Sequence, residues 1–512
     1  MTLKEVCKEI NKLNLKKASQ ATDIPVKILK SNNDLISFFI FHNFNNSLFS
    51  DCFPMALKYA DVRPAFKKDD KTDKENYRPI SILPNLSKVY ERLMYDPFFN
   101  TMFSSSQCGF RKGFNAEQCL IHMVEKWRKH LDTGGHGVAL LTDLSKAFDC
   151  IDHQLLIAKL NAYGVDKKSL NFLTSYLNKR KQRTKINGSY SSYHEILSGV
   201  PQGSILGPLL FNIYICDLFF DTENIDIASY ADDNTPYTCS SDLDSALKKL
   251  KNYTIKIFNW FRINRLKSNA GKCNLLTSTT SPIEMQIENT FINNTNRVKL
   301  LCVHIDGSLK FDDHVTQLCK KASKKLHALS RICHYMDLNK RRTIMKAFIT
   351  SQFSYCPLVW MFHSRSCEHR INSLHERSLR LVYKDNPNLT FEELLIKDNS
   401  TTIHQRNLQL LATEIFKVKQ GLSTGLTDEL FQFVEKPYNL RNNGSLKRKI
   451  DKTVNYGSES LSSLAPKIWE LLPTSIKEET ILSKFKAKIK TWTTDKCPCR
   501  LCKKYISNIG FI

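Results

Sequence analysis

No part of this chain is apolar for long enough to cross a bilayer. The run Leu35–Phe41 falls far short of the ~20 consecutive apolar residues that a spanning helix requires. An export leader is missing as well, since Met1 is followed by Lys4, Glu5 and Lys8 and no apolar stretch comes after them. Without an export signal, the 16 cysteines are expected as free thiols in a reducing intracellular compartment, nuclear, cytoplasmic or both. No internal repeat is present, which excludes a repeat architecture. Acids are in deficit, 50 Asp and Glu against 75 Lys and Arg, a formal net charge of +25. That excess points to a polyanionic partner, because each phosphate contact releases condensed counterions.

The 512 residues, 42% of them hydrophobic, are enough for three or four structural units, at about 100–200 residues per unit. Leu and Ile at helical spacing predict helices within residues 1–50. A strand signal spans Tyr59–Phe66, and the polar run Lys67–Glu75 after it has turn composition. Residues 80–95 return to a helical pattern through Leu86, Val89 and Leu93. Val138–Leu144 reads as a buried strand that ends on an acid, and residues 153–180 as mostly helical. Gly199 and Pro201-Gln202-Gly203 punctuate the chain before an apolar stretch to Asp217 that fits a core helix, and Ile225–Ser240 reads as two short strands about a tight turn. Beyond Leu300 the pattern is helical and basic, with a linker over 436–460.

The sharpest local feature is Tyr230-Ala231-Asp232-Asp233, two adjacent carboxylates in a turn between apolar strands. Neighbouring like charges repel, and a divalent cation removes the conflict; Mg²⁺ favours carboxylate oxygens together with substrate phosphates. The plain alternative is an exposed Asp-Asp turn. A third acid, Asp143, ends the strand Val138–Leu144. Were that strand beside the hairpin, three carboxylates would meet the requirement of a two-metal site, with ions roughly 3.5–4 Å apart. The alternative for Asp143 is a helix N-cap ahead of Leu144-Ser145-Lys146-Ala147-Phe148.

These residues sit inside longer patterns. Leu141–Asp149, LTDLSKAFD, resembles polymerase motif A of non-LTR retrotransposon reverse transcriptases, Ser198–Phe211 (SGVPQGSILGPLLF) resembles their motif B, and Tyr230–Asp233 their motif C. Asn76–Ser81 and Gln107–Arg111 are similar to the fingers motifs. Trp260-Phe261, Leu266–Asn269 and Lys272-Cys273 are similar to motif D, and Val298–Asp306 to motif E. Tyr355–Trp360 and Leu464–Trp469 resemble the C-terminal regions of jockey-like and CR1-like elements.

The resemblance implies an α+β right-hand polymerase. It would comprise an N-terminal helical extension (1–50), fingers and an antiparallel-sheet palm (51–305), a helical thumb-like region (306–435), the linker (436–460) and a basic, cysteine-containing C-terminal segment (461–512). It implies extension of a DNA 3′ end on an RNA template with dNTPs and two Mg²⁺ ions, Mn²⁺ being a possible substitute. Group II intron-type maturases carry a similar acidic turn, and an inactive nucleic-acid-binding remnant would keep the fold without turnover. Such elements usually carry an endonuclease ahead of the polymerase; none precedes residue 1, so nicking is expected to come from another chain.

By the same resemblance, Asp143, Asp232 and Asp233 hold the metals, with the Leu144 carbonyl as a further ligand. Tyr230 joins the nucleotide site. Phe148 matches the aromatic gate that would clash with a 2′-hydroxyl, and is otherwise a core residue. Arg78 and either Lys67 or Lys68 would grip the triphosphate, Gln202 would touch the nascent pair, and Lys272 would give a proton to the pyrophosphate. The alternative for the lysines is solvated surface charge.

The chain departs from the family pattern at Gln20 and Cys302, both in place of Gly, and in fingers that look short around Tyr95-Asp96-Pro97. Loss of Gly at 302 is expected to deny the turn its positive-φ conformation and to alter the primer grip. In the basic region, Ala322, Leu326, Leu329 and Cys333 form an apolar stripe with Lys320, Lys321, Lys324, Lys325 and Arg331 mostly off it. Arg341 and Arg342 are expected to extend that positive track. Cys497, Cys499 and Cys502 have the closeness of zinc ligands, but the remaining tail offers no fourth ligand, which leaves zinc open.

Overall fold

A computed structural model describes residues 1–16, 18–20, 23–95, 102–222, 224–434 and 445–502. Asp96-Pro97 and residues 436–444 lie outside them. The chain is mixed α/β and divides into two compact units. The first comprises Met1–Phe110, Asp143–Asn224 and Ile255–Asn269; the second comprises Arg111–Thr142, Ile225–Thr254 and Ala270–Ile512.

The first unit is built on a five-stranded sheet. Its strands are β1 (Tyr59–Phe66), β2 (Tyr77–Ile82), β4 (Arg180–Ile186), β5 (Ser189–Tyr190) and β6 (His194–Ile196), ordered β2-β1-β4-β5 with β6 also on β4. The strand expected at Tyr59–Phe66 is present with those bounds. The helix expected over 80–95 begins only at Asn85, because Tyr77–Ile82 is a strand antiparallel to β1. Pro79 stands opposite Pro64 in that pair, and a six-residue strand with a proline inside it shows little β signal until its partner is known. The helices of residues 1–50 are Leu3–Asn11, Val26–Ser31 and Asn33–Phe49. Gln20 has a structural role of its own: its amide donates to the carbonyls of Tyr59 (2.9 Å) and Ile82 (2.8 Å), clipping β1 to β2. The expected core helix runs Leu206–Asp221. It is apolar on every face and buries Leu209, Phe211, Ile213, Tyr214, Ile215 and Leu218, as a helix surrounded by protein must.

The second unit holds a six-stranded sheet, order β10-β11-β9-β3-β8-β7. Its members are β3 (His136–Leu141), β7 (Asp226–Tyr230), β8 (Asp233–Ser240), β9 (Asn274–Thr277), β10 (Glu284–Ile287) and β11 (Thr290–Thr295), and a separate hairpin joins β12 (Arg297–Leu300) to β13 (Val303–Asp306). Helix Ala116–Leu131 packs on β3, β7 and β8. Its N-cap is Asn115, whose side chain accepts from the Gln118 amide, and Arg128, Lys129 and His130 complement the dipole at its other end. Gly137 allows this packing, since a Cβ there would lie 2.3 Å from the Trp127 ring.

The same helix anchors the later part of the chain. Glu125 accepts from the Leu461 and Ser462 amides (3.0 and 3.2 Å), at the start of helix Leu461–Leu471. Buried Arg128 donates to the Glu459 carbonyl at 2.7 Å, and Asp132 accepts from the Thr453 amide at 2.7 Å. Lys452, Thr453 and Glu459, within residues 436–460, are thus hydrogen-bonded to this helix and the turn after it.

The basic helix is Asp312–Ile332, and its stripe is as expected: Ala322, Leu326 and Leu329 are buried, Cys333 is buried just beyond, and Lys320, Lys321, Lys324 and Arg331 are exposed. The expectation for Arg341 and Arg342 is corrected. Arg341 is buried, and Arg342 is held by buried Asp398 at 2.6 Å. Arg342 serves the fold because a buried carboxylate needs a cationic partner, and Arg341 is itself buried and reaches Asp385 at 3.4 Å.

Candidate active site

Strands β7 and β8 pair antiparallel with Tyr230 opposite Asp233, so Ala231 and Asp232 form a two-residue turn. Ala231 is buried with φ +58°, while Asp232 and Asp233 are exposed and Tyr230 half-buried. β3 lies beside β8, Ala139 opposite Tyr237. The same register continues beyond the strand end, where Thr142 donates to the Asn234 carbonyl through Oγ1 (2.5 Å) and through its amide (3.3 Å). Asp143 and Asp233 are the chain neighbours of these two residues. Lys272 is exposed on the 3₁₀ turn Ala270–Lys272 ahead of β9, and Asn274 of β9 stands opposite Leu141. The end of β3, the acidic turn and the start of β9 thus share one edge of the sheet.

In the first unit, Leu144 forms an isolated antiparallel bridge with Ser268, and its neighbours bind Lys267 and Asn269. The Asp143 carbonyl accepts from the Asn269 amide (3.0 Å), and the Ser145 amide donates to the Lys267 carbonyl (2.9 Å). Asp143 is therefore no helix N-cap; the next helical turn is the short Ala147–Asp149, entered through Lys146 at φ +51°. Phe148 is half-buried, stacked on Phe211 (centroids 4.6 Å apart, planes 21°) and edge-on to Phe110 (5.8 Å).

The loop before helix Leu206–Asp221 packs on this turn. Gly199 has φ +81°, and a Cβ there would lie 2.7 Å from the Asp149 backbone. Gln202 donates from Nε2 to Asp149 Oδ1 at 3.0 Å, while its carbonyl accepts from the Ser81 amide of β2 at 2.8 Å. Burial raises the Asp149 carboxyl above its ordinary value, and the Gln202 hydrogen bond opposes the shift. Gly203, φ +133°, would press a Cβ to 2.4 Å from the Ser81 carbonyl.

Arg78 is exposed on β2, opposite Ala65. Lys67 and Lys68 follow β1 and are exposed. The Lys67 amide donates to the Asn76 carbonyl (2.8 Å), which extends the ladder by one residue. Side chains two apart share a strand face, so that register sets Lys67 on the face of Ala65 and Arg78. Lys68 lies in the bend beyond the ladder and pairs with Asp69 at 3.6 Å.

These loops are also fixed from a distance, by Glu91, to which the sequence assigns no role, and by Gln107, which it places only in a fingers motif. Glu91, buried in helix Asn85–Met94, accepts from the Ile205 amide and from the Leu206 amide (3.4 Å) at the start of the core helix, and Tyr176 donates to it at 3.2 Å. Burial raises its carboxyl above the ordinary value. Gln107 donates to the Asn212 carbonyl and Asn212 to the Gly109 carbonyl, each at 2.8 Å. A polar residue in a helical run carries no local mark of such a partner.

The hairpin β12–β13 corrects the expectation for Cys302. Leu301 and Cys302 both adopt positive φ, +44° and +66°, so the turn forms without glycine. Tyr355 holds it by donating to the Leu301 carbonyl at 2.8 Å. The cost of left-handed L-residues, about 1–2 kcal/mol each, falls on stability and leaves the shape intact.

Among the described residues no helix is long and apolar enough to cross a membrane. Residues 66–305 match the family described as Reverse transcriptase (RNA-dependent DNA polymerase). The chain is 27% identical over 413 residues to a probable RNA-directed DNA polymerase from transposon BS of Drosophila melanogaster, covering 74% of this chain and 44% of that protein. It is 27% identical over 401 residues to the RNA-directed DNA polymerase from mobile element jockey of the same species, covering 75% and 44%. A shorter match, 30% over 151 residues, reaches the group II intron-encoded protein LtrA of Lactococcus lactis subsp. cremoris, covering 29% and 23%. The chain spans less than half the length of the curated relatives it matches. Residues 66–305 accordingly match a reverse transcriptase domain, and the chain around them is similar along three-quarters of its length to RNA-directed DNA polymerases of non-LTR retrotransposon type.

Proposed function

We propose that this chain is an RNA-directed DNA polymerase that extends a DNA 3′ end on an RNA template with dNTPs. The observation that carries the reading is the Thr142–Asn234 pair, whose chain neighbours are the acids Asp143 and Asp233, with Asp232 in the adjoining turn. Carboxylates that are exposed at Asp232 and Asp233 and half-buried at Asp143, with a backbone carbonyl at Leu144, are hard oxygen donors, the set that suits Mg²⁺. Bound there, two such ions would supply Lewis acidity to the attacking hydroxyl and the leaving phosphate.

The remaining roles belong to this chain's own side chains. Phe148, braced by Phe211 and Phe110, is the gate against a 2′-hydroxyl. Gln202, oriented by Asp149, and Tyr230 face the nucleotide. Arg78 and Lys67 bind the triphosphate; register favours Lys67 over Lys68. Lys272, at the same sheet edge as the acidic turn, gives the proton to pyrophosphate. Residues 51–305 serve as fingers and palm, 306–435 as a thumb-like region and 461–512 as a C-terminal extension. A groove lined by Lys320, His369, Arg370 and Arg377 supports a phosphate-binding track in the thumb-like region.

The test is primer extension by the purified chain on a defined RNA template, with and without Mg²⁺. Metal-dependent dNTP incorporation is expected. RNA binding without incorporation at any divalent ion would leave the inactive remnant as the reading. The match to LtrA covers a small part of the chain, whereas the transposon polymerases align along three-quarters of it, which favours the retrotransposon reading over a maturase.

A further inference from the structure

Helix Ile403–Lys419 is the mast on which the end of the chain is rigged. Phe485 stacks on Phe416 (centroids 4.1 Å apart, planes 22°), and Gln409 donates to the carbonyls of Lys490 (3.2 Å) and Trp492 (2.8 Å). Trp492 is buried, and the chain then turns back along the mast toward its N-terminus. Thr402 caps that terminus by accepting from the Gln405 amide, and the first turn carries His404.

The three clustered thiols arrive at this histidine. His404 Nε2 lies 3.4 Å from Cys499 Sγ and 3.8 Å from Cys497 Sγ. With Cys502 included, the four candidate ligand atoms all fall within 4.8 Å of one another. His404, Cys497 and Cys499 are buried and Cys502 is half-buried. The Cys502 amide donates to the Cys499 carbonyl at 3.2 Å, a tight turn that brings the two sulfurs to one side. Arg365 fixes that turn from outside, donating to the Arg500 carbonyl through Nε (3.2 Å) and Nη2 (3.0 Å). Arg500 in turn pairs with Glu459 at 3.1 Å.

We propose that His404, Cys497, Cys499 and Cys502 form a structural zinc site. The missing fourth ligand is 93 residues from Cys497 in the chain and adjacent to it in space. The chemistry selects the ion. Three thiolates and one imidazole are the donors zinc prefers in closed sites, and with Zn–S of about 2.3 Å and Zn–N of about 2.0 Å a tetrahedron sets its S···N edges near 3.5 Å. The observed separations bracket that edge, so an ion fits without rearrangement of the backbone. Four protein ligands leave no position for substrate, so the site closes a loop and performs no catalysis. Its effect is to pin the chain end to the first turn of the mast, in the unit that also carries the acidic hairpin. A disulfide between two of the thiols would strand the third thiol and the buried imidazole, which makes it the poorer account of this geometry.

The full chain, purified under reducing conditions from zinc-supplemented cells and dialysed against weak chelator, is assayed for bound zinc by mass spectrometry and, after exchange, for the visible spectrum of Co²⁺. One zinc per chain and a tetrahedral thiolate–cobalt spectrum are expected. Cys499→Ser and His404→Ala should lose the zinc to background; His404→Cys should restore it with a cobalt spectrum shifted toward all-sulfur ligation. Cys333→Ser, which removes a buried thiol outside the cluster, should keep it. Substoichiometric zinc and no cobalt spectrum in fully reduced wild-type protein overturn the proposal. So does an unchanged cobalt spectrum in His404→Ala, which would mean that the thiols bind metal without this histidine. If a variant fails to fold, the wild-type titration decides: a chelator-reversible cobalt spectrum supports the site, and its absence rejects it.

Discussion

The acidic turn and the thiol–imidazole cluster belong to the same compact unit and are built in opposite ways. Asp232 and Asp233 are neighbours in sequence, exposed, and carried on a hairpin whose register fixes them. His404 and Cys497 are far apart in sequence, buried, and carried on a helix and a chain end that meet only through packing. An exposed carboxylate can exchange water for metal and substrate, so it suits chemistry. A buried thiol cluster is shielded from exchange, so it suits a permanent clip. Solvent exposure thus separates residues that act from residues that hold.

Four substitutions test that division, from the largest expected effect to the smallest. Asp232→Asn should remove several kcal/mol of transition-state stabilisation, a loss of roughly 10³-fold or more in Mg²⁺-dependent incorporation. Its melting temperature should stay at the wild-type value, because the side chain is exposed on a turn. Parallel primer-extension and thermal-melting measurements check both halves; a large fall in melting temperature would put this acid among the holders. Phe148→Val tests a residue between the classes, half-buried and stacked on Phe211. The ratio of dNTP to rNTP incorporation should fall about 10- to 100-fold, corresponding to roughly 1–3 kcal/mol of lost steric discrimination. An unchanged ratio would assign the ring to the core alone.

Glu117 is an acid that holds. Burial pushes its carboxyl up to about 7, its oxygen accepts from the Leu358 amide at 2.8 Å, and Glu414 adds to the rise. A carboxyl whose folded value exceeds its unfolded value of 4.5 adds stability that is fully present below pH 4.5 and lost as the pH climbs to about 7. Glu117→Gln keeps an acceptor for Leu358 and removes the titration. It should therefore stabilise the fold at pH 8 relative to pH 5 by up to about 3 kcal/mol compared with wild type. His314 and His375, lowered to about 4 by burial, impose the opposite slope as the pH falls below 6.5. They do so equally in both proteins, so the difference between denaturation curves at the two pH values isolates Glu117. Equal differences at both pH values would show that Glu117 does not titrate in this range. Cys302→Gly carries the smallest effect. Relief of a left-handed L-residue, set against the added freedom of the unfolded chain, should stabilise the protein by roughly 0.5–1 kcal/mol in chemical denaturation. A loss of stability would mean that the Cys302 side chain holds something its exposure conceals.

Local pattern made much of this molecule legible. Strand β1, the helix Leu206–Asp221, the β7–β8 hairpin and the amphipathic helix Asp312–Ile332 each follow from the periodicity or turn chemistry of their own residues. The acids of the candidate site were legible for the same reason, since two lie in one turn and the third ends an apolar run. Strand β2 was not, because Pro79 weakens a β signal that only the partner β1 restores. Arg341 and Arg342 read as free cations because nothing near them in the chain announces Asp385 or Asp398. Gln20 and Cys302 read as defects because a family pattern records which residue is usual and not which hydrogen bonds replace it.

The sequence alone therefore determined the mixed α/β class, the likeness to reverse transcriptases, the acidic turn and the basic face of helix Asp312–Ile332, all of which rest on residues a few positions apart. Tertiary structure alone decided which polar groups meet across long stretches of chain. Glu91 reaches the start of the core helix, Asp132 reaches Thr453, and His404 reaches the three thiols. The physical reason is that a buried polar group must find a partner, and the chain meets that demand from whatever segment packing brings near, at a separation that no local spacing encodes.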